Sequence, residues 1–198
     1  MAEFVLVDTP RPHVALVTLN RPERMNSMAF DVMVPLKAVL EELTHDNDVR
    51  AVVLTGAGRG FSSGADHKSA GSVPHVDGLT RPSLGLRSME LLDDVILGMR
   101  KLHQPVIAAV NGAAIGGGLC LALAADIRVA STEAYFRAAG INNGLTASEL
   151  GLSYLLPRAI GSSRAFEIML TGRDVGADEA ERIGLVSRQG PPQDLPET

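Results

Sequence analysis

The chain has 198 residues, enough for one domain with a sizeable core, and it is 45% hydrophobic, 21% charged and 4% aromatic. Its net charge of −5 argues against nucleic acid or an anionic membrane as the main partner and fits a soluble globular protein. A single cysteine excludes an internal disulfide and points to a reducing compartment, the cytoplasm. The opening residues MAEFVLVDTP carry Glu3 and lack a basic segment leading into an apolar run, so no secretory signal is expected. Pro105 to Ala125 holds no charged residue and raises the question of a membrane span. Asn111 and the glycines split that stretch, so a strand, a turn and a short buried helix are expected, with no span.

In chain order, Pro12 to Pro22 reads as a strand ended by Asn20 and Pro22. Asn26 to Asp46 reads as a helix capped by Ser27. Its apolar stripe is Val32, Leu36, Val39, Leu40 and Leu43, and Pro35 marks a kink or a late start. Arg50 to Gly56 is a continuous apolar run, a buried strand. AGRGFSSGAD after it is glycine-rich and reads as irregular. His67 to Gly85 has no period and is expected to be a long mobile loop of the functional kind. Leu86 to Leu102 is helical, with Met89, Leu92, Val95, Ile96 and Met99 on one side.

PVIAAVNG is a second buried strand, followed by glycines, an apolar helix and a short strand over Asp126 to Ser131. Glu149 to Leu156 reads as a helix that stops near Pro157. Two further helices cover Ser162 to Leu170 and Ala177 to Ile183, capped by Ser162 and Asp178. Strands alternate with helices and no fixed repeat is visible, so the fold class is α/β. Residues 1–188 form the domain. The proline-rich QGPPQDLPET, residues 189–198, is expected to be a disordered tail.

AVVLTGAGRG resembles the entry to a nucleotide turn, but Phe61 falls where a dinucleotide fingerprint needs its third glycine, and no Gly-Lys-Ser/Thr ending is present. The two glycine turns are more informative as a pair. RAVVLTG leads to GFSSGAD and PVIAAVNG leads to IGGGLC, so each turn follows a buried strand. The second opens a helix, whose first N–H groups and dipole favour negative charge. Two N–H donors from separate loops would make an oxyanion hole. The alternative is that the glycines only permit close packing. Cys120, on the helix, could be a thiolate nucleophile near a helix N-terminus or a buried packing residue. His67 and His75 could reach the site from the loop, and Asp66 reads as shaping it.

Phe61 to Asp66 together with Pro105 to Ser131 resembles the crotonase superfamily, the enoyl-CoA hydratases and isomerases. Supporting matches, in the same order as in the family, are LNRPERMNSM, LLPRAIG and LTGRDVGADEAERIGLV, so the resemblance covers nearly the whole chain. It implies a spiral of ββα units, assembled as a homotrimer or hexamer. It implies an acyl-CoA thioester as ligand, with CoA part of the substrate and no separate cofactor or metal. The thioester oxygen would sit between the N–H groups of Ala65 and Gly117. Further acyl-CoA contacts would come from Arg24, near the CoA phosphates, and from Ser63, His67, Gly116 and Gly140.

The family's hydratases carry two glutamates, and the matching positions here are Cys120 and Gly140. Each acid/base group is worth about 10²–10⁴ in rate, so the usual hydration mechanism is expected to fail. Glu149, with one inserted residue, matches a carboxylate used by the dienoyl-CoA isomerase branch. It is therefore the remaining acid/base candidate, against a plain role as a helix-start charge beside the cap Ser148. The family label is enoyl-CoA hydratase, a lyase of fatty-acid metabolism, while the residues lean towards double-bond isomerisation. An inactive acyl-CoA binding protein and a Cys120 hydrolase are the other readings. Family members normally continue past LVSR with helices that pack on a neighbouring subunit, so this chain is C-terminally short by comparison, and exposed apolar surface is expected.

Overall fold

The computed structural model describes residues 3–146, 148–192 and 195. It begins with a hairpin of β1 (Val5–Arg11) and β2 (Val14–Leu19), antiparallel, reversed through His13 at a φ of 67°. The sequence shows only the second strand, because β1 buries Val5 alone and has no inward alternation to read. α1 (Phe30–His45) follows and buries Val32, Met33, Leu36, Leu40 and Leu43.

The chain then repeats one unit three times. β3 (Ala51–Gly56) leads to β4 (Gly60–Ser62) and then α2 (Arg81–Lys101). β5 (Val106–Val110) leads to β6 (Ala113–Ile115) and α3 (Gly117–Ala124). β7 (Ile127–Ser131) leads to β8 (Tyr135–Arg137), two 3-10 turns, α4 (Leu152–Ile160) and α5 (Ser162–Thr171). β9 (Asp174–Gly176), α6 (Ala177–Arg182) and β10 (Arg188–Gly190) complete it. The first strand of each unit joins a six-stranded sheet, ordered β1-β2-β3-β5-β7-β10. The second joins a four-stranded sheet, ordered β4-β6-β8-β9. Successive units pair in parallel in both sheets, and only β1–β2 and β8–β9 are antiparallel. The expected α/β spiral of ββα units is therefore present.

α3 lies in the middle of the core. Its residues Gly118 to Ala124 are all buried, which the unbroken apolar sequence GLCLALA requires. Among the described residues no helix is long and apolar enough to cross a membrane.

Several local expectations are corrected. The stretch AGRGFSSGAD is not wholly irregular, because it contains β4. α1 starts at Phe30 rather than Asn26, with no side-chain cap, because the Ser27 hydroxyl donates to Asp66 at 3.1 Å. Pro35 lies inside the helix, five residues after its first residue, so it does not mark a late start. The loop from His67 ends at Thr80, not Gly85. Thr80 accepts the Ser83 N–H, and Pro82 sits in the first turn, where its missing N–H has no intrahelical role. α4 runs through Pro157 to Ile160, and the Pro157 carbonyl accepts the Gly161 N–H at 2.9 Å. α5 and α6 are capped by Gly161 and Gly176, not by Ser162 and Asp178, and Asp178 instead accepts the Gln189 side-chain amide at 2.8 Å.

The expected disordered tail is corrected at its start. Gln189 and Gly190 pair with Ala130 and Ser131, and Leu195 is buried against Ala109 and Val129. Positions 193, 194 and 196–198 of that tail lie outside the described residues.

Candidate active site

Two loops from neighbouring turns of the spiral meet where β4 ends and α3 begins. The Met28 N–H donates to the Gly64 carbonyl at 2.7 Å, and the Asp66 N–H donates to the Met28 carbonyl at 3.3 Å. This parallel bridge leaves the intervening Ala65 N–H without a partner among the described residues. Gly117 is the first residue of α3, and its N–H is likewise unpaired, as first-turn amides of a helix are. The two loops touch. A β-carbon on Gly64, at a φ of 81°, would lie 2.6 Å from the Ile115 carbonyl oxygen and 3.2 Å from the Gly117 nitrogen. A β-carbon on Gly118 would collide with the Ser62 carbonyl, so glycine there lets α3 seat directly on β4.

Asp66 fixes the first loop. Its side chain is 1% exposed and accepts Arg21 Nη1 at 3.0 Å, Arg24 Nη2 at 2.6 Å and Arg24 Nε at 3.2 Å. The Ser27 hydroxyl and the N–H groups of Lys68 and Ser69 complete the set. The hydrogen bond from Arg24 holds this carboxyl well below the usual carboxylate range, against burial and helped by the two N–H groups and Ser27. Asp66 thus shapes the loop, as its position in the sequence suggests.

Ala65, Gly117 and Glu149 border one cavity of about 400 Å³, together with Ser63, His67, Gly116 and Gly140. Arg24 stands apart in an adjoining groove that shares Ser63, Ala65 and His67 with the cavity. Its guanidinium is forked onto Asp66, whereas Arg59 and Lys68 in the same groove form no ion pair among the described residues. Sequence reasoning missed both of these cations. It also missed the apolar lining from Met28, Leu145, Leu150 and Leu152. Only tertiary proximity gathers these residues. His75 borders neither space.

Glu149 does not start an α-helix. It opens a 3-10 turn in which Leu150 adopts a φ of 53°, and Ser148 makes no side-chain cap bond. Leu150 is buried, and a β-carbon on Gly117 would lie 3.4 Å from its Cδ1, so Leu150 anchors the turn against α3. The Glu149 carboxylate accepts the Thr146 hydroxyl at 3.1 Å, and its backbone carbonyl accepts the Cys120 thiol at 3.6 Å. The reading of Glu149 as a helix-dipole partner therefore lacks its helix.

Cys120 is buried, and burial, reinforced by the Glu149 carboxylate, pushes its thiol up to about 12. At pH 8 its thiolate fraction is then on the order of 10⁻⁴, which argues against the nucleophile and hydrolase readings and supports packing. Alkylation of the native protein should run roughly three orders of magnitude slower than for an exposed cysteine. A thiol titration at pH 8, before and after denaturation, checks this. Rapid labelling of the native protein would restore Cys120 as a nucleophile.

The strand order and the repeated ββα unit define the class: a protein of crotonase fold. The sequence model of the enoyl-CoA hydratase/isomerase family matches residues 10–198, and the chain belongs to that family. A relative in Mycobacterium bovis named "Probable enoyl-CoA hydratase echA12" is 83% identical over 192 residues, covering 97% of this chain and 67% of the relative. Two solved structures are similar. One, described as "a probable enoyl-CoA hydratase/isomerase from Mycobacterium abscessus", is 74% identical with a TM-score of 0.93, over 98% of this chain and 72% of that one. The other, "a monofunctional enoyl CoA isomerase from M.smegmatis", is 69% identical with a TM-score of 0.82, over 99% of this chain and 81% of that one. The chain is thus an enoyl-CoA hydratase/isomerase-type enzyme that processes acyl-CoA thioesters.

Proposed function

We propose that the chain moves the double bond of an enoyl-CoA, with Glu149 as the one acid/base and the N–H groups of Ala65 and Gly117 as the oxyanion hole. The observation that carries this is the lining of the cavity. Among the described residues, Glu149 is its only carboxylate, and Cys120 and Gly140 border it where the family's hydratases have glutamates. Hydration needs a positioned water and a second proton-transfer group, and isomerisation needs neither.

Glu149 removes a proton from C2 of a 3-enoyl thioester. The electron pair delocalises onto the thioester oxygen, where two N–H donors and the α3 N-terminus meet the charge. The same proton returns to C4, which gives the 2-enoyl thioester with no net gain or loss of atoms. No cofactor beyond the substrate's own CoA is needed. In this reading Ser63, His67 and Gly116, which line the cavity, contact the thioester arm, and Arg24, with Arg59 and Lys68 in the adjoining groove, provides positive charge for the CoA phosphates.

In this reading the working assembly is a homotrimer or a pair of trimers in the cytoplasm. The exposed Phe166 and Leu170 on α5, 51% and 72% accessible, support burial against another chain, and the single buried cysteine suits a reducing compartment.

Incubation with 3-enoyl-CoA should yield 2-enoyl-CoA, while 2-enoyl-CoA should gain water at a rate lower by at least about 10²-fold. Faster hydration than isomerisation would overturn the assignment.

A further inference from the structure

The cavity is much larger than a short acyl group. A methylene takes about the volume of a water molecule in the liquid, on the order of 30 Å³, so a four-carbon acyl chain fills roughly 120 Å³. The cavity holds about 400 Å³ in all, including the space beside Ala65 and Gly117 that the thioester would take. Apart from the oxyanion loops its lining is largely apolar, with Met28, with Met89 and Leu92 from α2, and with Leu145, Leu150 and Leu152. Met89 and Leu145 are 41% and 51% exposed, so a chain passing between them would cover apolar surface that is now in water. Methionine adapts its shape to what it packs against, which suits a wall that takes chains of differing bend.

Among the described residues, the polar side chains of the lining are Ser63, His67, Asn143 and Glu149, and Glu149 is the one carboxylate among them. Ala139 and Gly140 line the cavity as well, and a β-carbon on Gly116 would lie 3.7 Å from the Ala139 Cβ.

We propose that this site selects a medium-chain, uncharged acyl group, of about eight to twelve carbons, over a four-carbon one and over chains ending in a carboxylate. The proposal rests on the acyl-CoA reading above and names the substrate class of that site. Each methylene buried between α2 and the Leu145 segment should tighten binding about fourfold until the cavity is filled. A terminal carboxylate would be desolvated in a largely apolar cavity whose carboxylate, Glu149, carries the same charge, so it should bind worse than an alkyl chain of equal length.

Saturated acyl-CoAs test this without chemistry. Calorimetry on the chain with butyryl-, octanoyl-, dodecanoyl- and glutaryl-CoA, and with free CoA as baseline, should give octanoyl-CoA at least about 50-fold tighter than butyryl-CoA. Glutaryl-CoA should bind no better than butyryl-CoA. In Met89→Ala and Leu145→Ala, both at exposed positions, the octanoyl-to-butyryl ratio should fall about three- to tenfold. Affinity that is flat or falls with chain length, or a ratio unmoved in both variants, overturns the proposal and leaves the isomerase reading standing. Loss of all acyl-CoA binding overturns both.

Discussion

Glu149→Gln should lower the rate of 3-enoyl-CoA isomerisation by about 10²–10⁴ while acyl-CoA affinity stays within a few-fold. The substitution keeps the shape and the hydrogen bond from Thr146, and it removes only the ability to take a proton. The backbone turn is held independently, through the Cys120 thiol on the Glu149 carbonyl and through Leu150 against α3, so the variant should fold like the parent. Steady-state rates with 3-enoyl-CoA, beside calorimetry with a saturated acyl-CoA, separate the two effects. Activity that survives the change within threefold means another group moves the proton, and His67, which also lines the cavity, is then the next candidate.

Asp66→Asn should carry the largest structural penalty. The carboxylate receives two guanidinium groups, a hydroxyl and two backbone N–H groups. Asparagine leaves the largely buried Arg21 with only the exposed Glu23, 3.8 Å away, as counter-charge, and it also faces Arg21 or Arg24 with an N–H in place of an acceptor. Breaking one partner out of such a buried set should lower the melting temperature by about 10 °C. Because Ala65 is the preceding residue, acyl-CoA binding should weaken as well.

The sign with pH follows from the lowered carboxyl. Asp66 binds its proton less readily folded than unfolded, so its stabilisation is complete above the ordinary carboxylate range near pH 4. It is lost progressively as pH falls below that. The melting-temperature gap between the parent and Asp66→Asn should therefore be constant from about pH 6 to 8 and narrow by pH 3. A gap that does not narrow would assign the loss to packing rather than charge.

The fold was legible wherever a segment buries enough of itself to leave a pattern. β2, β3, β5 and β7 are apolar runs or alternations of five or six residues, and α1 carries a stripe over sixteen. The strands β4, β6, β8 and β9 are three residues each, too short to show a period. They exist because successive turns of the spiral place their backbones side by side. Caps failed for a related reason. Ser27 and Asp178 have the right side chains, but Asp66 and Gln189 are the partners the fold supplies.

By itself the sequence determined the α/β class and the two glycine turns, since these are facts of composition and order, while the assignment of Cys120 and Gly140 to the positions of the hydratases' glutamates is what the family resemblance implies. Only the tertiary structure decided that Ala65, Gly117 and Glu149 border one cavity, and that Arg24 is committed to Asp66 while Arg59 and Lys68 are not ion-paired. Each of those relations joins residues far apart in the chain. The Glu149 turn further depends on a left-handed Leu150 that no local propensity favours and that packing against α3 holds in place.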